Sequence, residues 1–335
     1  MLKLVFVGAT GHTHLVLDEL PRHPQVQWAA YAPSFQDEEM DRLHRPAREM
    51  GGPRLYDDWR AMLDAEKPDI VVVCGRFDLN GPIAMEATRR GCHIFSEKPA
   101  AQTLEQVQEL RALVRDQNIH YSMMLPLRYE GPYYTAHQLV RQGIIGRPYL
   151  MFAQKSYRWG QRPRWYADRA KYGSTMTWVG IHAFDYARWV SGLDYTTVYA
   201  HHGNLVRKSR PGCQDVATVL ATLSNGGSAV FSLDFLRPET AISHGDDRLR
   251  VAGSEGVLEV CDRGTRLHVI HAEGDVPDWP LEQPSTSLFG DLVTAVEGRP
   301  STPLLSAEEA FEISEFAIQA AYAADTGMVV HLTHI

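Results

Sequence analysis

The chain has 335 residues, with 33 lysines and arginines against 41 aspartates and glutamates, for a formal net charge of −8. That length allows two domains with ample core, and the acidic balance argues against a broad nucleic-acid-binding surface. Its apolar runs, such as Ile70 to Val73, are far too short to span a bilayer, so no membrane partner is expected either.

Leu2 to Val7 reads as a buried first strand rather than a signal peptide, because the apolar stretch is very short and glycines and histidines follow it. Thr13 to Leu20 reads as a helix ended by Pro21, and Val26 to Tyr31 as a second strand. Trp59 to Ala65 is helical, and Ile70 to Val73 is a strand. Pro82 to Arg90 is a helix stopped by Gly91, His93 to Phe95 is a strand, and Leu104 to Asp116 is a long amphipathic helix. Ile119 to Met124 is another short strand. Strands alternating with helices imply a parallel sheet with right-handed crossovers.

After about residue 125 the pattern changes. Strand-like runs appear at 149–156, 196–201, 215–223, 228–235, 249–252, 257–260 and 267–270, and turn signals such as Asn225-Gly226-Gly227 and Asp262-Arg263-Gly264 separate some of them. Ser287 to Glu297 and Ala307 to Asp325 are closing helices. The expected architecture is a parallel α/β dinucleotide-binding (Rossmann) domain over 1–122, followed by an α+β domain over 123–335 with a large, mostly antiparallel open sheet. The terminal helix has the option of returning to the first domain. An open sheet needs one face covered, which points to a homo-oligomer, dimer or tetramer, formed through it. Cys74, Cys92, Cys213 and Cys261 are widely spaced and form no C-x-x-C pair, as expected of reduced thiols in a cytoplasmic protein. The 15 histidines form no H-x-x-x-H or Cys/His cluster, so no metal is expected.

The first strand runs into Gly8-Ala9-Thr10-Gly11-His12-Thr13. A glycine-rich turn between a strand and a helix lets backbone amides and the helix dipole meet a pyrophosphate. Gly8 fits the G-x-G-x-x-G pattern, but Thr10 and Thr13 hold the second and third glycine positions and Gly11 comes one residue late. The turn is therefore either a nucleotide cradle or a tight turn of any α/β protein. The second strand ends Tyr31-Ala32-Pro33-Ser34 with no acid for the adenosine ribose. Ser34 is either a ribose or 2′-phosphate ligand or a loop residue, and the choice between NAD and NADP stays open.

Gly91-Cys92-His93-Ile94-Phe95-Ser96-Glu97-Lys98-Pro99 is more specific. It resembles the G-x-H-[VI]-x-x-E-K-P strand and turn of the glucose–fructose oxidoreductase, inositol dehydrogenase and MocA (Gfo/Idh/MocA) family. Further segments resemble that family in the same order: Tyr56-Asp57-Asp58-Trp59 with Pro68-Asp69-Ile70-Val71, Gly143-Ile144-Ile145-Gly146-Arg147-Pro148, Gly180-Ile181-His182-Ala183-Phe184-Asp185, Ala252-Gly253-Ser254-Glu255-Gly256, and Asp325-Thr326-Gly327. The resemblance covers nearly the whole chain. It implies that Glu97-Lys98-Pro99 lies beside a nicotinamide, with Lys98 reaching the reacting hydroxyl and a cis bond before Pro99 as an option. It also implies cofactor contacts from Gly8, Thr10, Gly11, His12, Thr13, Ser34, Cys74 and Asn80.

Hydride transfer from a carbinol needs a group to take the hydroxyl proton. Lys98 is the first candidate, since a lysine near a cationic nicotinamide and out of bulk water is expected to have a lowered pKa. His182 is the second, on a predicted helix with Asp185 three residues on. Two departures weigh against standard chemistry. The aspartate that family members carry four residues before the histidine is Trp178 here, and a loop histidine of the family is Asn80. Tyr157 to Tyr166 is dense in arginine and aromatics, and Arg158, Arg164 and Trp165 are either substrate ligands or parts of a solvated loop or dimer contact. Arg128-Tyr129 matches a family pair near the substrate, and Arg128 is equally readable as a structural ion-pair residue. The leading expectation is an NAD(P)-dependent dehydrogenase of a small carbohydrate-like substrate: a sugar, sugar acid or cyclitol-like polyol. The alternatives are a lyase or hydrolase that oxidises a sugar transiently with tightly bound NAD, and a sugar-binding relative with impaired catalysis.

Overall fold

A computed structural model describes residues 1–332. The chain forms two compact units: Met1–Leu125 with Thr286–Ser314, and Pro126–Ser285 with Glu315–Ile335.

The first unit carries six strands: β1 (Leu2–Val7), β2 (Val26–Ala32), β3 (Arg54–Leu55), β4 (Ile70–Val73), β5 (His93–Ser96) and β6 (Tyr121–Met123). They form one parallel sheet in the order β3-β2-β1-β4-β5-β6. All four residues of β4 are fully buried, as a central parallel strand covered on both faces requires. The covering helices are α1 (His14–Leu17), α2 (Asp41–Glu49), α3 (Trp59–Glu66), α4 (Phe77–Arg89) and α5 (Leu104–Asp116). Side chains cap two of them: Asp58 accepts from the amides of Arg60 and Ala61, and Thr103 from that of Gln106. The strand order reverses at β1, so the crevice beyond the carboxyl ends of β1 and β4 is the ligand position of this topology.

Two of the expected helices differ in their bounds. The helix expected over Thr13–Leu20 ends at Leu17, and Leu20–Arg22 is a separate 3₁₀ turn. The Pro21 ring would meet the carbonyl of Leu17 in a continued α-helix. The helix expected to open at Pro82 instead opens at Phe77 and runs through the proline, which puts Asn80 on a helix rather than in a loop.

The second unit is built on a nine-stranded sheet. Its strands are β7 (Pro148–Arg158), β8 (Tyr195–Gly203), β9 (Val216–Leu223), β10 (Ser228–Arg237), β11 (Gly245–Gly253), β12 (Val257–Cys261), β13 (Arg266–His271), β14 (Gly274–Val276) and β15 (Val330–His331). They follow the order β14-β13-β12-β11-β7-β10-β9-β8-β15. β7 and β10 are parallel and the other described pairs are antiparallel. Residues along β9 and β10 alternate between buried and accessible, the mark of a sheet with one covered face. Helices α6 (Gly131–Arg141), α7 (Arg169–Tyr172) and α8 (Ile181–Ser191) belong to this unit. Tyr186 of α8 donates to the carbonyls of Gln154 and Arg248, which seats that helix over β7 and β11.

The chain then returns to the first unit with α9 (Leu288–Val296) and the start of α10 (Ala307–Thr326). There Ser314 accepts from the Ala100 amide, and Phe311 stacks on Tyr121 of β6. No described helix is long and apolar enough to cross a membrane.

Candidate active site

In the first unit the predicted cofactor residues meet at the carboxyl ends of β1, β2, β4 and β5. Gly8 and Gly11 both have φ of +83°, in the left-handed region. A Cβ on Gly8 would run into the Cys74 carbonyl, and one on Gly11 into the Glu97 carboxylate. Cys74 acts here through its backbone: its carbonyl accepts from Thr10 N at 2.7 Å and its amide donates to Val7 O. Its buried thiol is pushed well up by desolvation, so it supplies no thiolate. Thr13 precedes α1 and makes no side-chain cap.

An acid does reach the end of β2, from a residue that sequence reasoning missed. Glu38 accepts from Ser34 N at 2.6 Å and Ser34 Oγ at 2.7 Å through one oxygen. Through the other it accepts from Ala9 N at 3.1 Å and Thr10 Oγ1 at 3.3 Å. Asp37, at φ +62°, turns the loop so that Glu38 comes back to the glycine turn. Asp37-Glu38-Glu39 was the available signal, but it lies beyond the point where a strand-end acid is sought. Ser34 Oγ also accepts from Arg76 N, and Asn80 Oδ1 accepts from Gly75 N at 3.0 Å. Asn80 is fully buried, and its Nδ2 has no acceptor among the described residues.

At the end of β5, Glu97 and Lys98 are both buried and the Lys98-Pro99 bond is cis. The Glu97 carboxylate accepts from the His12 backbone amide, lies 2.6 Å from His12 Nδ1, and accepts from Lys98 N at 3.1 Å. Burial opposes its charge, but the His12 ring and amide and the Lys98 ammonium together hold the carboxyl below the ordinary glutamate range. Glu97 thus binds the E-K-P turn to the glycine turn.

In the second unit His182 is buried in the first turn of α8, directly after a π-helical segment, Met176–Gly180, that carries the buried Trp178. Single-turn π-segments occur often at functional sites. Arg128 lies in the 3₁₀ turn Pro126–Tyr129, with Tyr129 half-buried behind it. Its guanidinium grips Asp185 at 2.6–3.2 Å, with both side chains about fully buried. This geometry favours the ion-pair reading of Arg128 over the substrate one. Trp165 stacks against Tyr166, ring centroids 4.6 Å apart, and Arg164 is exposed. Arg158, at the end of β7, donates to the carbonyls of Glu239 and Ala241. Among the described residues no group of three or more His, Cys, Asp or Glu side chains is placed to hold a metal ion.

Residues 2–124 match the description "Oxidoreductase family, NAD-binding Rossmann fold", and residues 133–259 match the GFO/IDH/MocA C-terminal domain. The chain belongs to the Gfo/Idh/MocA oxidoreductase family. Among solved structures, a Thermotoga maritima protein provisionally described as an oxidoreductase is 34% identical, with a TM-score of 0.93 over 99% of this chain and 100% of that one. Curated Gfo/Idh/MocA-type relatives include the uncharacterized oxidoreductase YrbE of Bacillus subtilis, 28% identical over 68% of this chain and 65% of YrbE. D-glucoside 3-dehydrogenase of Escherichia coli is 30% identical over 47% of this chain and 45% of its own. The matches thus span about two-thirds and somewhat under half of these two relatives' lengths.

The first unit is the NAD-binding Rossmann domain of this family, and its residues fit a dinucleotide. The two left-handed glycines open the turn, Glu38 and Ser34 present oxygens where an adenosine ribose is held in this topology, and Asn80 Nδ2 is a buried donor without an acceptor among the described residues.

Proposed function

We propose that this protein is an NAD-dependent oxidoreductase acting on the CH–OH group of a sugar, sugar acid or cyclitol-like polyol. The first unit holds the cofactor and the second takes the substrate. The observation that carries the reading is the buried Glu97-Lys98-Pro99 turn, clamped through Glu97 to the glycine turn at His12.

Bound NAD supplies the hydride acceptor, or NADH the donor. Glu38 takes the adenosine ribose hydroxyls, and its charge disfavours the 2′-phosphate of NADP. Asn80 Nδ2 donates to a cofactor oxygen. As the neutral amine Lys98 takes the hydroxyl proton while the carbinol becomes a carbonyl, and as the ammonium it returns that proton in the reverse direction. His182, in the second unit, binds a substrate hydroxyl. Trp178, where an acid would serve as a second base, walls the substrate instead. The four cysteines are unpaired, which suits the reducing cytoplasm in which we place the protein.

The open face of the second sheet supports self-association. Tyr199, Leu220, Val230 and Phe152 sit side by side in register across β8, β9, β10 and β7. Tyr199, Leu220 and Phe152 are 40–47% exposed, with Leu150 beside them.

The test is to purify the protein without added nucleotide, denature it, and identify any released nucleotide by mass spectrometry. The empty protein is then titrated with NADH and NADPH. An empty protein that prefers NADH supports an exchanging dehydrogenase. Stoichiometric release of NAD that does not exchange moves the reading to transient internal oxidation in a lyase or hydrolase. A protein that neither retains nor binds either nucleotide defeats the redox reading.

A further inference from the structure

Five arginines of the second unit lie around one end of its sheet, Arg158 at the end of β7 and Arg162, Arg164, Arg207 and Arg210 on the segments beyond the strands. That end is shared by the carboxyl ends of β7, β8 and β10 and the amino ends of β9 and β11. Four of the five are held by uncharged backbone carbonyls. Arg158 donates to Glu239 O and Ala241 O, Arg162 to Trp159 O at 2.9 Å, Arg207 to Phe235 O at 3.0 Å, and Arg210 to Pro163 O at 3.2 Å. Arg207 lies 4.8 Å over the Trp159 ring and Arg162 lies 5.3 Å over Phe235, and those two rings touch edge to face.

None of the five forms an ion pair with a carboxylate among the described residues. The acids nearby are used otherwise: Glu239 accepts from Gly160 N, and Asp215 from the amides of Leu205, Val206 and Arg207. Arg158 Nε and Arg207 Nε are buried donors with no acceptor among the described residues. Guanidinium groups fixed by neutral carbonyls are oriented but not neutralised, and gathering them raises like-charge repulsion that an anion would relieve. The neighbouring His244, 3.4 Å from Arg162, fits a positive potential: burial first, then Arg162 and Arg158, push its pKa down.

The segment that leads into His182 packs on elements next to the cluster within this unit. Gly180, two residues before His182, packs on Leu233, which is two residues before Phe235 on the same face of β10. Thr175, at the start of the same segment, bonds Gln214 through both its amide and its hydroxyl, next to the loop that carries Arg207 and Arg210.

We infer that the substrate is anionic, a carbohydrate bearing a carboxylate or phosphate ester, and that Arg162 and Arg207 recognise that group while Trp159 and Phe235 hold their guanidinium planes. Both anions accept the paired hydrogen bonds of a guanidinium fork. The inference rests on the proposed sugar oxidoreductase reading and narrows its substrate.

The experiment uses the full chain with NAD added. Glucuronate, galacturonate, gluconate and glucose 6-phosphate are each compared with glucose, galactose or glucitol as the neutral counterpart. Binding is measured by calorimetry and turnover by NADH absorbance. At least one acidic member is expected to bind tenfold or more tighter than its counterpart, with the advantage shrinking as KCl is raised. Arg162→Gln and Arg207→Gln should each cut that advantage about tenfold, weakening the acidic member more than its neutral counterpart. Melting curves and NAD binding of both variants separate a lost anion contact from a lost fold. The uronates and the phosphate ester tell the two anion sources apart. Neutral members that bind as tightly as acidic ones, or no acidic member that binds, would overturn the inference. Tight acidic binding without cofactor reduction upholds it and removes the redox reading instead.

Discussion

At the scale of single residues, the proposed chemistry depends on a few buried polar groups. Lys98 is 2% exposed beside a carboxylate kept charged against its burial. If it handles the hydroxyl proton, Lys98→Ala should lower kcat by roughly 10²–10⁴-fold, the usual scale of a positioned acid–base group. NADH affinity, read by fluorescence titration, should survive; unchanged turnover would remove Lys98 from the site. Glu38 supports a separate prediction. Its carboxylate bridges Ser34 and the glycine turn, so Glu38→Gln should weaken NAD binding about tenfold and narrow the preference over NADP, as loss of a charge-assisted hydrogen bond would. A preference that stays the same in the variant would mean that Glu38 only braces the loop. The E-K-P turn was legible from the sequence because its residues are contiguous. Glu38 was not, because a left-handed Asp37 redirects the loop, and no strand or helix period records such a turn.

At the scale of elements, the ion pair between Arg128 and Asp185 ties the turn before α6 to α8, the helix that carries His182. Both side chains are out of water, so removing one takes this ion pair from a charge that stays buried. Arg128→Met is expected to cost about 3–5 kcal/mol in urea unfolding. A loss below about 1 kcal/mol would show that Asp185 finds another partner. Strands were the most readable elements: β4 is a continuous apolar run, β1 is one apart from Lys3, and β9 and β10 alternate. Helix ends were less so. Pro21 ended α1 earlier than its own position suggested, while Pro82 was taken inside α4, because tertiary packing of a long buried helix outweighs one missing backbone bond. α2, which is Arg-rich and contains Pro46, buries only Leu43 and Ala47 among charged neighbours, and it was not anticipated.

At the scale of the whole molecule, an open sheet face with Phe152, Leu220 and Tyr199 in one register row is costly to leave in water. Sedimentation velocity should show a dimer or tetramer at micromolar concentration. The paired change Phe152→Asp and Leu220→Asp should shift it to monomer without altering the far-UV spectrum. A wild-type monomer would leave that face without a role in assembly.

The amino-acid order by itself determined that a parallel α/β unit precedes a mostly antiparallel one, and it placed the Lys98 and His182 motifs. Those features follow from contiguous residues and short periods, which burial of one or both faces imposes directly on the sequence. Tertiary structure alone decided that Glu38 meets Ala9 across 29 positions, that Arg128 closes on Asp185 across 57, and that arginines from separate loops gather at one sheet end. Such meetings are set by loop paths and sheet order, and electrostatic pairing over those distances leaves no periodic trace in the chain.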